Sequence, residues 1–328
     1  DNSYTTGVSP CWELHSTVGA VWTVHNEVGL EARDVRGLCD AGASTKKRST
    51  TGGAQSGAIG RKGIGFKSVF KLSDTPHVLS GPYTFRFDRR SGTLGFITPL
   101  PLSATELDQL PEAVRTAWQS GRTVIFLPLN APTPTATLCA ALRQGTALLF
   151  LRKLRQLEVH DHTAGERRIF CRRQVVTESL LELSSWQESK CCVTVEELRI
   201  ASTPLWADSN VAEDVQRQLF IRCEGSTKAG PGAPASTVVV ALPVATGEIG
   251  NDERATGSTA APMVEPPAAT TPATPDATFC IHAYLPLRDV GLRFAVHADF
   301  ETTSSRDDVH DSSLNRHLRT AASRLFVA

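Results

Sequence analysis

No stretch of this sequence approaches the roughly 20 consecutive apolar residues of a bilayer-spanning helix, and its start shows neither the basic nor the apolar region of a secretory leader. Neither sign of charge dominates: 34 Lys and Arg balance 34 Asp and Glu, which leaves no net drive toward a phosphate backbone and makes nucleic acid an unexpected partner. The eight cysteines include no Cys-x-x-Cys pair, and the adjacent Cys191 and Cys192 cannot readily share one ion, so no metal site is read among them. They are expected to be reduced, mostly buried thiols of an intracellular protein, cytoplasmic or nuclear. No internal repeat is present. The chain starts at Asp1 and holds one methionine, Met263, as expected of a piece of a longer product.

What is present is the composition of a soluble globular protein, 41% apolar and 21% charged, over 328 residues, a length that suits two domains. The most informative segment, residues 57–70, reads Gly-Ala-Ile-Gly-Arg-Lys-Gly-Ile-Gly-Phe-Lys-Ser-Val-Phe. Three glycines, Gly60, Gly63 and Gly65, are followed at once by a helical pattern with Phe66, Val69 and Phe70 on one side. Without a Cβ the backbone can turn through positive φ and approach a ligand closely. A helix starting there aims free N–H groups and the positive end of its dipole into the turn, and a phosphate chain is the natural occupant.

An apolar run at 18–24 reads as a buried strand and leads into His25-Asn26-Glu27-Val28-Gly29-Leu30. A helix-like segment at 32–39 comes next, then Gly42-Ala43-Ser44-Thr45-Lys46-Lys47 and the glycine turn. This order of strand, Asn/Gly turn, helix, Ser-Thr-Lys loop, glycine turn and helix resembles the ATP site of the GHKL superfamily, which includes gyrase, the large heat-shock chaperone and the histidine kinases. The wording of the motifs is similar to that of its sacsin/NO VEIN branch.

The resemblance implies an α+β fold class: a GHKL-type α/β sandwich, a mixed sheet with helices on one face, followed by a smaller α+β segment. It implies ATP as the ligand. The residues matching its contacts are His25, Asn26 and Gly29 after the first strand, Ser44, Thr45, Lys46 and Lys47 in a lid loop, and Gly60, Lys62, Gly63, Ile64, Gly65 and Phe66 in the phosphate turn. Thr123, on the apolar strand 123–129, matches the threonine that helps hold the base. In the family, a metal-binding Asn and a general-base Glu lie on a helix that would precede Asp1. Mg²⁺ is therefore expected only with that Asn, and hydrolysis by this chain alone is not expected.

Two features depart from the superfamily. Its usual Asp-x-Gly-x-Gly is His25-Asn26-Glu27-Val28-Gly29 here, so a neutral side chain replaces the carboxylate that accepts from the adenine amino group. Asp40-Ala41-Gly42 offers another Asp-x-Gly, but its place beside Ser44 suits the lid. Lys46, Lys47, Arg48, Arg61 and Lys62 make that loop basic within a neutral chain, which suits a lid ordering over phosphates or, alternatively, a solvated loop.

Along the chain, residues 1–160 read as the nucleotide-binding domain, 161–245 as a second α+β segment, 246–277 as a disordered Pro/Ala/Thr-rich insertion, and 278–328 as the remainder of the second segment with a terminal helix at 314–326. Within the first domain, strands are expected at 75–79, 83–87, 94–97, 123–129 and 157–160, one helix at 104–118 and another near 138–151. Between 167 and 242, strands at 168–176, 193–200 and 238–242 alternate with short helical stretches.

A second candidate is Asp299-Phe300-Glu301-Thr302-Thr303-Ser304-Ser305-Arg306. The branch carries a similar Ser-Ser-Arg, and in the chaperone relative the matching arginine reaches the γ-phosphate. The resemblance thus implies a catalytic role for Arg306, whose permanently charged fork suits a transferring phosphoryl group. A surface arginine paired with Asp307 or Asp308 is the other reading. Two functions follow: the ATP-binding module of a chaperone-like or scaffold ATPase with a protein client, or a degenerate, non-hydrolysing interaction module.

Overall fold

The computed structural model describes residues 3–39, 66–134, 137, 142, 145–181, 191–206, 214–244, 277–303 and 308–328. Two compact units divide the chain, one of Asp1–Arg143, Leu151–Ile169 and Ser202–Ala212, the other of Gln144–Phe150, Phe170–Ala201 and Glu213–Ala328.

The first unit runs β1 (Cys11–Ser16), β2 (Ala20–His25), α1 (Ala32–Cys39), a 3₁₀ turn (Phe66–Lys71), β3 (His77–Ser80), β4 (Tyr83–Arg86), β5 (Leu100–Pro101), α2 (Ala104–Asp108), α3 (Glu112–Gln119), β6 (Thr123–Pro128) and β7 (Gln156–Asp161). Its strands lie in the order β7-β1-β2-β6-β3-β4-β5, and the sheet is mixed because β7 runs parallel to β1 while the other neighbours are antiparallel. Successive side chains point to opposite faces of a strand. Register therefore places Trp22, Val24, Leu79, Val124 and Phe126 on one face, and Thr23, His25, Val78, Ser80, Thr123 and Ile125 on the other.

Both faces carry helical segments, where the sequence suggested helices on one. α2 and α3 bring Leu107, Leu110, Val114, Ala117 and Trp118 onto the Trp22 face. α1 and the 3₁₀ turn bring Val35, Leu38, Phe66, Val69 and Phe70 onto the Val78 face, with Phe85 and Phe87. The apolar spacing read as one helix over 104–118 is real, but the helix breaks at Pro111, which has no N–H to donate and disfavours helical geometry at Leu110. Ser103 caps α2 in a reciprocal arrangement with Glu106. The strand expected at 94–97 is a run of turns instead: Gly95 donates to Gly92 and accepts from Asp88, and a Cβ there would lie 2.0 Å from the Asp88 carbonyl oxygen.

The second unit is a sheet of β8 (Glu166–Leu181), β9 (Cys191–Pro204), β10 (Asp214–Thr227), β11 (Ser236–Val244), β12 (Phe279–Ala283), β13 (Leu285–Leu292) and β14 (Ala295–Ala298), ordered β13-β12-β14-β11-β10-β9-β8, and closed by α4 (Ser313–Val327). β8 has its residues 170–181 in this unit. α4 places Leu314, Leu318, Ala321, Ala322 and Leu325 at helical spacing against Cys191, Val238, Val240, Val296 and Ala298, and Ser312 caps its start. Among the described residues between 167 and 242, long strands stand where short helical stretches were expected, and 182–190 and 207–213 lie outside those residues. β10 carries no strand signal in the sequence, because polar Gln216, Arg217, Gln218, Arg222 and Glu224 interrupt its apolar residues. Near 138–151, only a 3₁₀ turn at Thr146–Leu149 is described. Residues 246–276 of the expected insertion lie outside the described residues.

Candidate functional site

β2 ends at His25, which faces Thr123 across the ladder, and the chain then turns through Gly29 at φ +90° before entering α1. A buried pair of hydroxyls fixes that turn. Ser80 Oγ lies 2.7 Å from Thr123 Oγ1 and accepts from the Leu30 amide at 2.8 Å. A Cβ on Gly29 would stand 3.2 Å from the same Ser80 oxygen, so both positive φ and close approach favour glycine. His25, Gly29 and Thr123 are thus gathered at one end of β2 and β6, on the α1 face.

Asn26 serves another purpose. Its Oδ1 accepts from the Cys11 amide at 2.9 Å and its Nδ2 donates to the Ser9 carbonyl at 2.7 Å, tying the start of β1 to the end of β2. Phe66 sits in the core beneath α1, 5.6 Å from the Phe87 ring centroid. Lys67 donates to the carbonyls of Leu38 and Phe96, both at 2.6 Å, and so closes α1 against the 3₁₀ turn. Ser44, Thr45, Lys46, Lys47, Gly60, Lys62, Gly63, Ile64, Gly65 and Arg306 lie outside the described residues. Around Arg306, the backbone is anchored on both sides: Asn315 bonds the amide and carbonyl of Glu301 and the carbonyl of His310. Asp308, one of the carboxylates offered to Arg306 on the surface reading, pairs with Arg288 at 3.1 Å.

The opposite face of the first unit holds a group of side chains that the sequence reading missed. β1 contributes Glu13 and His15, and β7 contributes Glu158 and His160 directly beside them, since the parallel register pairs Glu13 with Glu158 and His15 with His160. His162, just past β7, completes a stack in which the His15 ring lies 4.2 Å from His160, 5.5 Å from His162 and 5.0 Å from Trp22. The signal was a Glu-x-His and a Glu-x-His-x-His, each with a strand period of two, separated by more than 140 residues.

The surroundings favour ionised carboxylates on Glu13 and Glu158 and, by burial, the neutral form of His15. Burial works to raise Glu158, but the His160 hydrogen bond and the Arg167 guanidinium, 2.9 Å away, hold its carboxyl down at about 2. Glu13 is likewise held low against its burial by His15 and by Arg122, with which it forms an ion pair. His15 is pushed below its ordinary value, by burial first and despite Glu13. An open cavity of about 520 Å³ adjoins the group, lined by Glu13, His15 and Trp22 from the sheet and by Glu112, Thr116 and Ser120 from the α3 region.

A sequence model of the Sacsin domain family matches residues 9–95, the span from β1 through β4 that includes the Gly29 turn. The chain is 28% identical to Protein NO VEIN of Arabidopsis thaliana over an alignment of 339 residues that covers all of this chain and 10% of that relative. The chain thus spans about a tenth of the relative it matches. Among solved structures, the N-terminal domain of a DNA repair protein is similar at a TM-score of 0.31 and 12% identity, over 58% of this chain and 61% of that one. No helix among the described residues is long and apolar enough to cross a membrane.

Proposed function

We propose that this chain is a GHKL-type ATP-binding module of a sacsin/NO VEIN-like protein, serving in the longer protein as a nucleotide-driven, chaperone-like or scaffold ATPase. The observation that carries the reading is the hydroxyl pair of Ser80 and Thr123, which receives the Leu30 amide and holds the Gly29 turn across the ends of β2 and β6. That is where the superfamily resemblance puts the base. Neutral donors and acceptors on His25 and Thr123 fit an adenine edge by hydrogen bonding without a formal charge. The glycine turn at Gly60, Gly63 and Gly65 would take the phosphates on backbone N–H groups, with Lys46, Lys47 and Lys62 supplying positive charge.

In this reading the chain's own residues bind and orient. Thr123 and His25 would fix the base, the turn would hold the phosphates, and the lid of residues 44–57 would close over them and exclude water. Arg306 would neutralise charge developing on the transferred phosphoryl group. Turnover is proposed only for a longer chain that also carries the upstream Asn and Glu.

A second reading, a non-hydrolysing interaction module, has its own support. The superfamily carboxylate is replaced, and the Asn26 amide is already engaged by the backbone of Ser9 and Cys11. Fluorescent ADP displacement separates the outcomes. Saturable binding that weakens about tenfold in Thr123→Val supports the nucleotide site. Binding without turnover in the longer protein favours the second reading, and absence of any ADP or ATP binding there overturns the first.

A further inference from the structure

We propose that Glu13, His15 and His160 form a binding site for a divalent transition-metal ion of the Zn²⁺ class on the α2/α3 face of the first unit's sheet. The ligand atoms of these three side chains all lie within 4.8 Å of one another. Around a tetrahedral zinc ion, with bonds of about 2.0–2.1 Å, ligand atoms stand about 3.3 Å apart. Glu13 Oε2 and His15 Nε2, at 3.2 Å, already have that spacing, and the His160 ligand atom lies within 4.8 Å of both.

Strand geometry produces this arrangement. Neighbouring strands lie about 4.8 Å apart, and the parallel register sets His15 beside His160 and Glu13 beside Glu158, so two imidazoles and a carboxylate converge without any loop. Imidazole with carboxylate is a donor set of intermediate softness that suits Zn²⁺ and its neighbours better than Mg²⁺ or Ca²⁺.

Further partners are in place to orient the ligands. Glu158 lies 2.9 Å from His160 Nε2 and is itself held by Arg167. His162 Nε2 lies 3.2 Å from His15 Nδ1, the ring nitrogen turned away from Glu13. Such contacts fix ring orientation and raise ligand basicity. Glu13 and His15 line the open cavity beside α3, which leaves the ion's remaining coordination position to water or a small ligand. Arg122 competes for Glu13 in the absence of metal; its side chain is 41% exposed and can swing to solvent as the ion enters. The site lies on the face opposite Gly29 and Thr123 and stands independently of the nucleotide reading.

The test is titration of chelator-stripped full chain with Zn²⁺ by calorimetry, and with Co²⁺ by visible absorption. One equivalent is expected to bind, with Co²⁺ giving the intense bands of a low-coordinate nitrogen and oxygen site. His15→Ala and His160→Ala should abolish that equivalent, and Glu158→Gln should weaken it about tenfold or more. Arg122→Ala should bind at least as tightly as the parent, because the competing cation is gone. Since alanine variants can lose structure, a second readout uses the unaltered chain. Substoichiometric Cu²⁺ should broaden the His15 and His160 ring resonances before those of buried His282 and His297. No stoichiometric binding, or broadening that spares His15 and His160, overturns the proposal.

Discussion

Ser80 and Thr123 share a buried hydroxyl–hydroxyl hydrogen bond of 2.7 Å that joins β3 to β6 and, through the Leu30 amide, pins the turn at Gly29. Removing either member has unequal consequences. Ser80→Ala strands both the Thr123 hydroxyl and the Leu30 amide, and is expected to cost about 1–3 kcal/mol. Thr123→Val leaves Ser80 with the Leu30 amide and should cost about 1 kcal/mol. Urea unfolding of both variants checks the order; an equal loss would show that the turn does not depend on Ser80.

The second unit contains a buried ion pair. Arg172 reaches Glu196 with two nitrogens, at 2.9 and 3.1 Å, with side-chain exposures of 9% and 2%, and a third contact runs from Arg172 to the Leu148 carbonyl. Glu196→Ala leaves a guanidinium buried without its carboxylate and is expected to destabilise the protein by about 3–5 kcal/mol. A loss below 1 kcal/mol in denaturant titration would mean that water reaches Arg172.

Acid is expected to weaken the same unit through His282 and His297, neighbours in the parallel pairing of β12 and β14. Burial, and then the charge of His297, pushes His282 from 6.5 down to about 3, and burial also depresses His297, whose Nδ1 accepts from the Tyr284 amide at 3.0 Å. The unfolded chain takes up these protons near pH 6.5 while the folded unit resists them, so stability is full above 6.5 and falls as pH drops toward 3. The slope approaches about 1.4 kcal/mol per pH unit for each histidine. Unfolding midpoints between pH 7.5 and 4.5 should fall in the parent and fall less in His282→Leu. Parallel curves would remove His282 from the transition.

These elements differ in how far the sequence disclosed them. The apolar runs of β2 and β6 and the helical spacing of α4 were legible because each buries a continuous face. The superfamily resemblance assigns both His25 and Thr123 to the base, while their pairing across β2 and β6 is a matter of register. β10 was not legible, since a strand in which Arg222 and Glu224 follow Phe220 on one face lacks the apolar density of its neighbours. Nor was the pairing of His15 with His160, because strand register, not local pattern, joins residues so far apart.

Arg306 is expected to act on the barrier and little on the ground state. In a longer protein that turns over ATP, Arg306→Ala should lower kcat while nucleotide affinity stays within about twofold of the parent. If the arginine only pairs at the surface, the change should cost at most about 1 kcal/mol of stability and no turnover. Steady-state ATPase rates beside nucleotide titrations decide between them.

The most direct test of the central claim is calorimetric titration of ADP into the longer protein and into its Gly65→Val variant. On the proposed reading, a valine there would bring a Cβ and two methyls against the phosphates and would disfavour any positive φ the turn needs. Saturable binding by the parent and at least about a tenfold loss in the variant are expected. Equal affinity in the two would contradict a phosphate-binding turn at Gly60, Gly63 and Gly65.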